Sequence, residues 1–303
     1  MRGRGDTAGE RALLGGGRLE RVGTLHVETL TDAGAAIDRA RELLMANPVD
    51  LNVIWSVMAQ RACSGTPGTY WLLESDETPV GIAIESPPQH PVAISPMPPE
   101  HALATATAIA DQGHRVSGVA GEASTAAAFA GEWTELFRTA AEVEDAQRLY
   151  LLGEHVLSTP VPGRLRHVDA SERELSTGWW SDFHDETGSQ GGEVSLAVDL
   201  AISARRLFVW DDGGPRCLAR ATQPLGGISR IGVVYTPPEW RRRGYASACV
   251  GELCRRVRAE EGANSVLYAQ LSNAGSNAMY RRLGFQAVSE VLVYRFGDAA
   301  QKS

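Results

Sequence analysis

Val234-Tyr235-Thr236-Pro237-Pro238-Glu239-Trp240-Arg241-Arg242-Arg243-Gly244-Tyr245-Ala246 joins two stretches of different periodicity. Before it, Ile231 to Tyr235 is apolar and reads as a strand. Pro237-Pro238 ends that strand, because proline offers no N–H to a ladder and cannot continue a helix. After it, Ala246, Val250, Leu253 and Val257 recur at helical spacing. A strand that breaks into a turn rich in arginine, with one glycine, and then into a helix start is suited to hold phosphate. First-turn N–H groups lack intrahelical acceptors, the helix dipole is positive there, and glycine lets the backbone come close to an anion.

Two further features follow within the next stretch of chain. Asn273 stands just past an apolar strand, Val266 to Leu271, and Tyr280 comes seven residues later. Arg281-Arg282-Leu283-Gly284-Phe285 completes the run. Arg241, Gly244 and Ala246, as R-x-x-G-x-A, together with Asn273, Tyr280 and the L-G-F ending, resemble the motifs of the GNAT superfamily of N-acetyltransferases. A solvated basic turn would explain the arginines but not the spacing of Asn273 and Tyr280. Other phosphate loops fit worse, since no G-x-x-x-x-G-K-S/T and no G-x-G-x-x-G between strand and helix occurs.

The resemblance implies a mixed α/β (α+β) GNAT fold, a central splayed β-sheet flanked by helices, and acetyl-CoA-dependent transfer to a primary amine. It implies that main-chain groups of Val234, Tyr235 and Thr236 pair with the pantetheine arm. Arg241, Arg242, Arg243, Gly244, Tyr245, Ala246 and Ser247 would carry the pyrophosphate. Asn273 would hold the cofactor arm and Tyr280 would protonate the departing thiolate. Each has a plainer alternative: Asn273 as a turn or helix-cap residue, Tyr280 as a core aromatic beside Met279 and Leu283. Asn277 is the other amide nearby, at the wrong spacing from Tyr280. Residues 228 to 236 contain no acid where many family members place a general base. Asp182, His184, Asp185, Glu186 and Glu290 are the substitutes to consider. No cysteine stands at a motif position, so direct attack without a covalent enzyme intermediate is expected.

Composition narrows the class. Hydrophobic content of 43% and charged content of 22% are those of a globular chain, and 303 residues suffice for two cores. A net charge of −8 argues against general nucleic-acid binding, and the arginine turn is a local exception suited to one small polyanion. No apolar run reaches membrane-spanning length, and the Gly/Arg-rich Met1 to Gly23 has no signal-peptide core. Cys63, Cys217, Cys249 and Cys254 lack metal-ligand spacing and read as buried thiols in a reducing cytoplasm, with Cys249 and Cys254 on different helix faces.

A Pro-containing joint, Ser158 to Gly163, divides the chain. The expected layout is an extension at 1–23, a first domain at 24–158 and a catalytic domain at 163–303. In the second half the reading is strand, two helices, three strands, helix, strand, helix and strand, the GNAT order. Asp211-Asp212-Gly213-Gly214 signals a hairpin, and Ser171 with Glu174 a capping box. The first half echoes the plan without its motifs: a helix at Ala33–Met45, a hairpin at 70–86, strands at Val116–Val119 and Arg148–Leu152, and a helix at Ala123–Phe137. It reads as a second GNAT-like domain that has lost cofactor binding. The rivals are a non-catalytic acyl-CoA-binding scaffold and transfer from another acyl-CoA. The acceptor cannot be read from the motifs.

Overall fold

The computed structural model describes residues 25–85, 90–157, 160–188 and 192–297; the expectation for 1–23 lies outside them. The first half runs β1 (Leu25–Leu30), α1 (Ala33–Arg39), α2 (Arg41–Ala46), α3 (Asn52–Ser64), β2 (Tyr70–Ser75), β3 (Thr78–Ile84), β4 (Val92–Ile94), α4 (Pro99–Asp111), β5 (Gly118–Glu122), α5 (Ala123–Phe137) and β6 (Ala141–Leu152). The second runs β7 (Arg164–His167), α6 (Arg173–Thr187), α7 (Val194–Ser203), β8 (Leu207–Asp211), β9 (Pro215–Ala221), β10 (Ile228–Tyr235), α8 (Tyr245–Glu261), β11 (Asn264–Gln270), α9 (Ala274–Leu283) and β12 (Phe285–Phe296).

Several boundaries differ from expectation for local reasons. The expected helix 33–45 is broken at Ala40 into α1 and α2. The capping box ahead of α6 is Asp169 with Glu172 rather than Ser171 with Glu174, and a 3-10 turn at Ala170–Glu172 precedes the α-helix. β6 and β12 are each longer than the sequence suggests, 12 residues apiece, because each borrows the other as a ladder partner.

That partnership organises the molecule. The twelve described strands form one sheet in the order β1-β2-β3-β4-β5-β12-β6-β11-β10-β9-β8-β7. Reading inward from both edges, each half contributes five strands in sequence, then yields its next place to the last strand of the other half. β12 is antiparallel to β5 on one side and to β6 on the other, and β6 is antiparallel to β11. The two strands therefore thread both hydrophobic cores. Phe285, at the start of β12, is buried with Tyr280, Leu283 and the α8 residues Cys249, Val250 and Leu253. Phe296, at its end, packs with the first-half core and stacks on Trp133 at 5.7 Å. β6 runs the opposite way: Ala141 against the first core, Tyr150 and Leu152 in the second.

Three of the four cysteines are buried as expected, but Cys63 is exposed. Cys249 and Cys254 do not face apart: both join Cys217 in the core cluster beneath α8, and burial pushes the Cys254 thiol up to about 12. Among the described residues no group could hold a metal ion, and no helix is long and apolar enough to cross a membrane.

Candidate active site

β10 creates the site by leaving its neighbour. It runs parallel to β11 over Ile228, Ser229 and Arg230, opposite Asn264, Ser265 and Val266, and there the pairing ends. On its other side the ladder with β9 is interrupted between Gly232 and Tyr235. Val233 sits in that irregularity at φ +51°, a costly conformation for a β-branched residue. The bulge bends β10 outward, and a cavity of about 600 Å³ opens between β10 and β11.

Val234, Tyr235 and Thr236 form one wall of this cleft, Ala269 and Gln270 the other, and Met279 and Tyr280 of α9 line it further along. The α8 N-terminus stands at one end. Gly244 is its N-cap at φ +88°, and a Cβ there would lie 2.8 Å from Val161 Cγ1. The helical ladder begins with Ala248 N–H donating to Gly244 O, 3.0 Å. The amides of Tyr245, Ala246 and Ser247 thus precede the ladder, as an anion site requires.

The three arginines have separate placements. Arg241 donates through Nε to Thr236 O at 2.8 Å and through its terminal nitrogen to both oxygens of Glu186, at 2.6 and 2.8 Å. It therefore braces the turn against α6, and the Glu186 partner raises its pKa further. Arg242 lines the cleft with its backbone at φ +60°. Arg243 lies over Trp240, 4.8 Å from the ring centre, and Arg216 lies 3.8 Å from it. Arg243, Gly244, Tyr245 and Ser247 are not part of the cleft lining; the Tyr245 hydroxyl turns away to donate to Asp212, 2.6 Å.

Asn273 and Tyr280 both border the cleft. The Asn273 carbonyl accepts from Ser276 N–H at 3.0 Å, so this residue is the N-cap of α9, while its amide N–H groups remain as donors. Asn277 is a structural bracket: it accepts from Tyr150 Oη at 2.8 Å and donates to Gln270 O and Asn273 O, both 2.7 Å. Tyr280 is only 7% exposed, and burial pushes its phenol well above the ordinary range.

Of the five candidate bases, Glu186 alone lines the cleft. Asp182 accepts from Tyr235 Oη at 3.2 Å, His184 accepts from Trp180 Nε1 at 3.1 Å, and Glu290 accepts from Arg148 at 2.6 Å. Burial lowers the His184 pKa, holding it neutral. Asp185 is exposed.

Cleft residues that escaped the sequence reading include Gln147, Phe183, Arg230 and Tyr268. Gln147 comes from β6 of the first half. Arg230 carried a visible signal, a lone charge on the otherwise uncharged run Ile228-Ser229-Arg230-Ile231-Gly232-Val233.

Among the described residues the first half has a smaller opening near the end of β4, about 190 Å³, bordered by Ile94, Gly121 and Glu122. Gly121 of β5 is pressed against β4, so that a Cβ would stand 2.6 Å from the Ile94 side chain and 2.9 Å from its carbonyl. α4 begins with Pro98 as N-cap, Pro99, and Glu100 in its first turn. Proline supplies no amide, and the acid opposes an anion at that terminus.

The FR47-like protein family model matches residues 218–293, the segment from β9 to β12 that contains the cleft. No curated protein matches the sequence. Among solved structures, a Drosophila protein with 13% identity has a TM-score of 0.62, with 90% of this chain and 99% of that chain covered. A GCN5-related N-acetyltransferase from Sphaerobacter thermophilus, 15% identical, has a TM-score of 0.56 over 89% and 95% of the two chains. A tandem GNAT protein from the clavulanic acid biosynthesis pathway, 12% identical, has a TM-score of 0.52 over 92% and 100%. The chain has the GNAT fold in tandem form, with the FR47-like segment in its second half.

Proposed function

We propose that this protein is an acetyl-CoA-dependent N-acetyltransferase with one active site, in the second half. The observation that carries the reading is the divergence of β10 from β11 with the α8 N-terminus at one end of the gap and Tyr280 along it. The gap exposes main-chain groups of Val234, Tyr235 and Thr236 that would otherwise be paired, and an extended pantetheine arm can take the place of the missing strand neighbour. The amides of Tyr245 to Ser247, with Arg242, receive the pyrophosphate. Asn273 offers its amide N–H groups to the cofactor arm while its carbonyl stays in the cap.

In this assignment the acceptor amine attacks the thioester carbonyl, the tetrahedral intermediate collapses, and the C–S bond breaks. Tyr280 then donates to the departing sulfur. With its pKa raised above the ordinary phenol value of ~10, against ~8.5 for a thiol, complete proton transfer is uphill. Its role is a hydrogen bond to developing negative charge, the form of stabilisation that acts most strongly in a dry site.

Calorimetry should find one acetyl-CoA per chain, and thiol release should appear with some primary amines of a panel. Two equivalent sites would overturn the single-site assignment. Binding without turnover on any amine would leave a non-catalytic acyl-CoA-binding protein.

Glu186 is the proposed acceptor of the amine proton. Glu186→Gln should slow turnover about 10²-fold near neutral pH. The deficit should narrow as pH rises towards the pKa of the amine, where the acceptor deprotonates unaided. A uniform deficit at every pH would instead assign Glu186 to holding Arg241.

A further inference from the structure

Arg230 is a cation without an anion. Its guanidinium donates to Asn52 Oδ1 at 2.8 Å and to Ser56 Oγ at 3.2 Å, both on α3 of the first half. Both acceptors are neutral, and the two bonds use only part of a five-donor fork. Among the described residues it has no ion pair. Burial depresses its pKa, and no carboxylate offsets that effect. Arg220 repeats the pattern on β9. It faces Gly232 across the ladder, two residues from Arg230, so both arginines lie on one face of the sheet. Its Nε is buried without a partner, and its guanidinium lies 5.6 Å from the Trp180 ring.

The carboxylates around the cleft are committed elsewhere. Glu186 is held by Arg241 at the mouth. Asp50 faces Ser289 Oγ at 3.4 Å. Asp145 accepts from Gln147 at 2.6 Å and Gln270 at 3.3 Å. A buried charge without a partner is destabilising, and a ligand of opposite charge relieves that cost. Arg230 also lines the cleft at the point where β10 and β11 part, so a ligand there lies close to the proposed thioester.

We propose that the acceptor is a small amine that also carries a carboxylate, and that Arg230 is the residue that binds this carboxylate. The amine half of the inference rests on the acetyltransferase reading; the carboxylate half does not. A planar fork matches a carboxylate with two parallel bonds. The cavity of about 600 Å³ must house the cofactor arm as well, so the acceptor is of amino-acid size. Arg220 adds a second positive charge behind the first. Asn52 also donates to Tyr268 Oη at 2.9 Å, so the first half sets the floor on which the acceptor rests.

The test uses L-amino acids and their matched carboxamides as probes on the full chain. With acetyl-CoA present, thiol release should favour the acid over its carboxamide by about 10²-fold or more in kcat/KM, since a site with a buried donor rejects an analogue that leaves it unpaired. Arg230→Gln should erase the preference through KM for the acceptor, leaving KM for acetyl-CoA unchanged; Arg230→Lys should keep part of it. Independently of turnover, the preferred amino acids should raise the wild-type melting temperature and their carboxamides should not. If no amine is acetylated but that thermal discrimination holds and is lost in Arg230→Gln, the transferase reading fails and this one stands. Equal use of acid and carboxamide by an active enzyme overturns it, and Arg230 is then only a brace between α3 and β10.

Discussion

Tyr280→Phe should lower turnover about 10²- to 10³-fold, the usual consequence of removing one donor from developing charge, while acetyl-CoA affinity stays near the wild-type value. The ring keeps its contacts with Tyr150 at 6.4 Å and Phe285 at 5.9 Å. Among the described residues the hydroxyl has no hydrogen-bond partner to lose, so thermal stability should barely move. The pH profile gives a second check. A phenol raised by burial stays protonated through the ordinary tyrosine range, so the wild type should show no alkaline limb assignable to Tyr280 below about pH 10. An unchanged rate in Tyr280→Phe, with a good acceptor, would return Tyr280 to the role of a core aromatic.

Gly244→Val should reduce acetyl-CoA affinity at least about 10²-fold. Two independent effects act at this position. The backbone is at φ +88°, which costs a β-branched residue about 1–3 kcal/mol. The new side chain also meets Val161, already 2.8 Å from the ideal Cβ. Relief of either moves the first turn of α8, and with it the amides proposed to receive the pyrophosphate. Calorimetry measures the affinity, and a parallel melting curve separates lost binding from lost fold. Gly244→Ala should show the backbone effect with less of the clash, and so fall between. Wild-type affinity in a folded Gly244→Val protein would show that the phosphate group lies elsewhere.

The strand–turn–helix geometry from Val234 to Ala246 was legible because its signals are local. Pro237-Pro238, the arginines, Gly244 and the apolar periodicity of α8 all lie within one short stretch, and each fixes backbone geometry whatever surrounds it. Element order in the second half followed for the same reason. The cap role of Asn273 and the ligand role proposed for it are also compatible in one side chain, because an amide has separate donor and acceptor ends. What stayed hidden is tertiary. Nothing near Asn52 or Ser56 announces that α3 will meet Arg230 of the other half. Residues 141–147 read as ordinary polar sequence, yet they extend β6 because β12 covers them. The Pro98-Pro99 start of α4 and the Ala-rich body after it gave a helix signal that passed unread.

The exchange of β6 and β12 carries a consequence for how the chain is made. β6 leaves the ribosome roughly 130 residues before its neighbour β12, and at about 5–20 residues per second that interval is roughly 7–27 s. Until then β5 and β6 present unpaired edges, the kind of backbone that recruits foreign strands. The final dozen residues of the sheet therefore act as a completion signal for both cores at once. A premature stop between β7 and Phe285, although it spares the whole first half of the coding sequence, should yield an aggregating product rather than a shorter folded one.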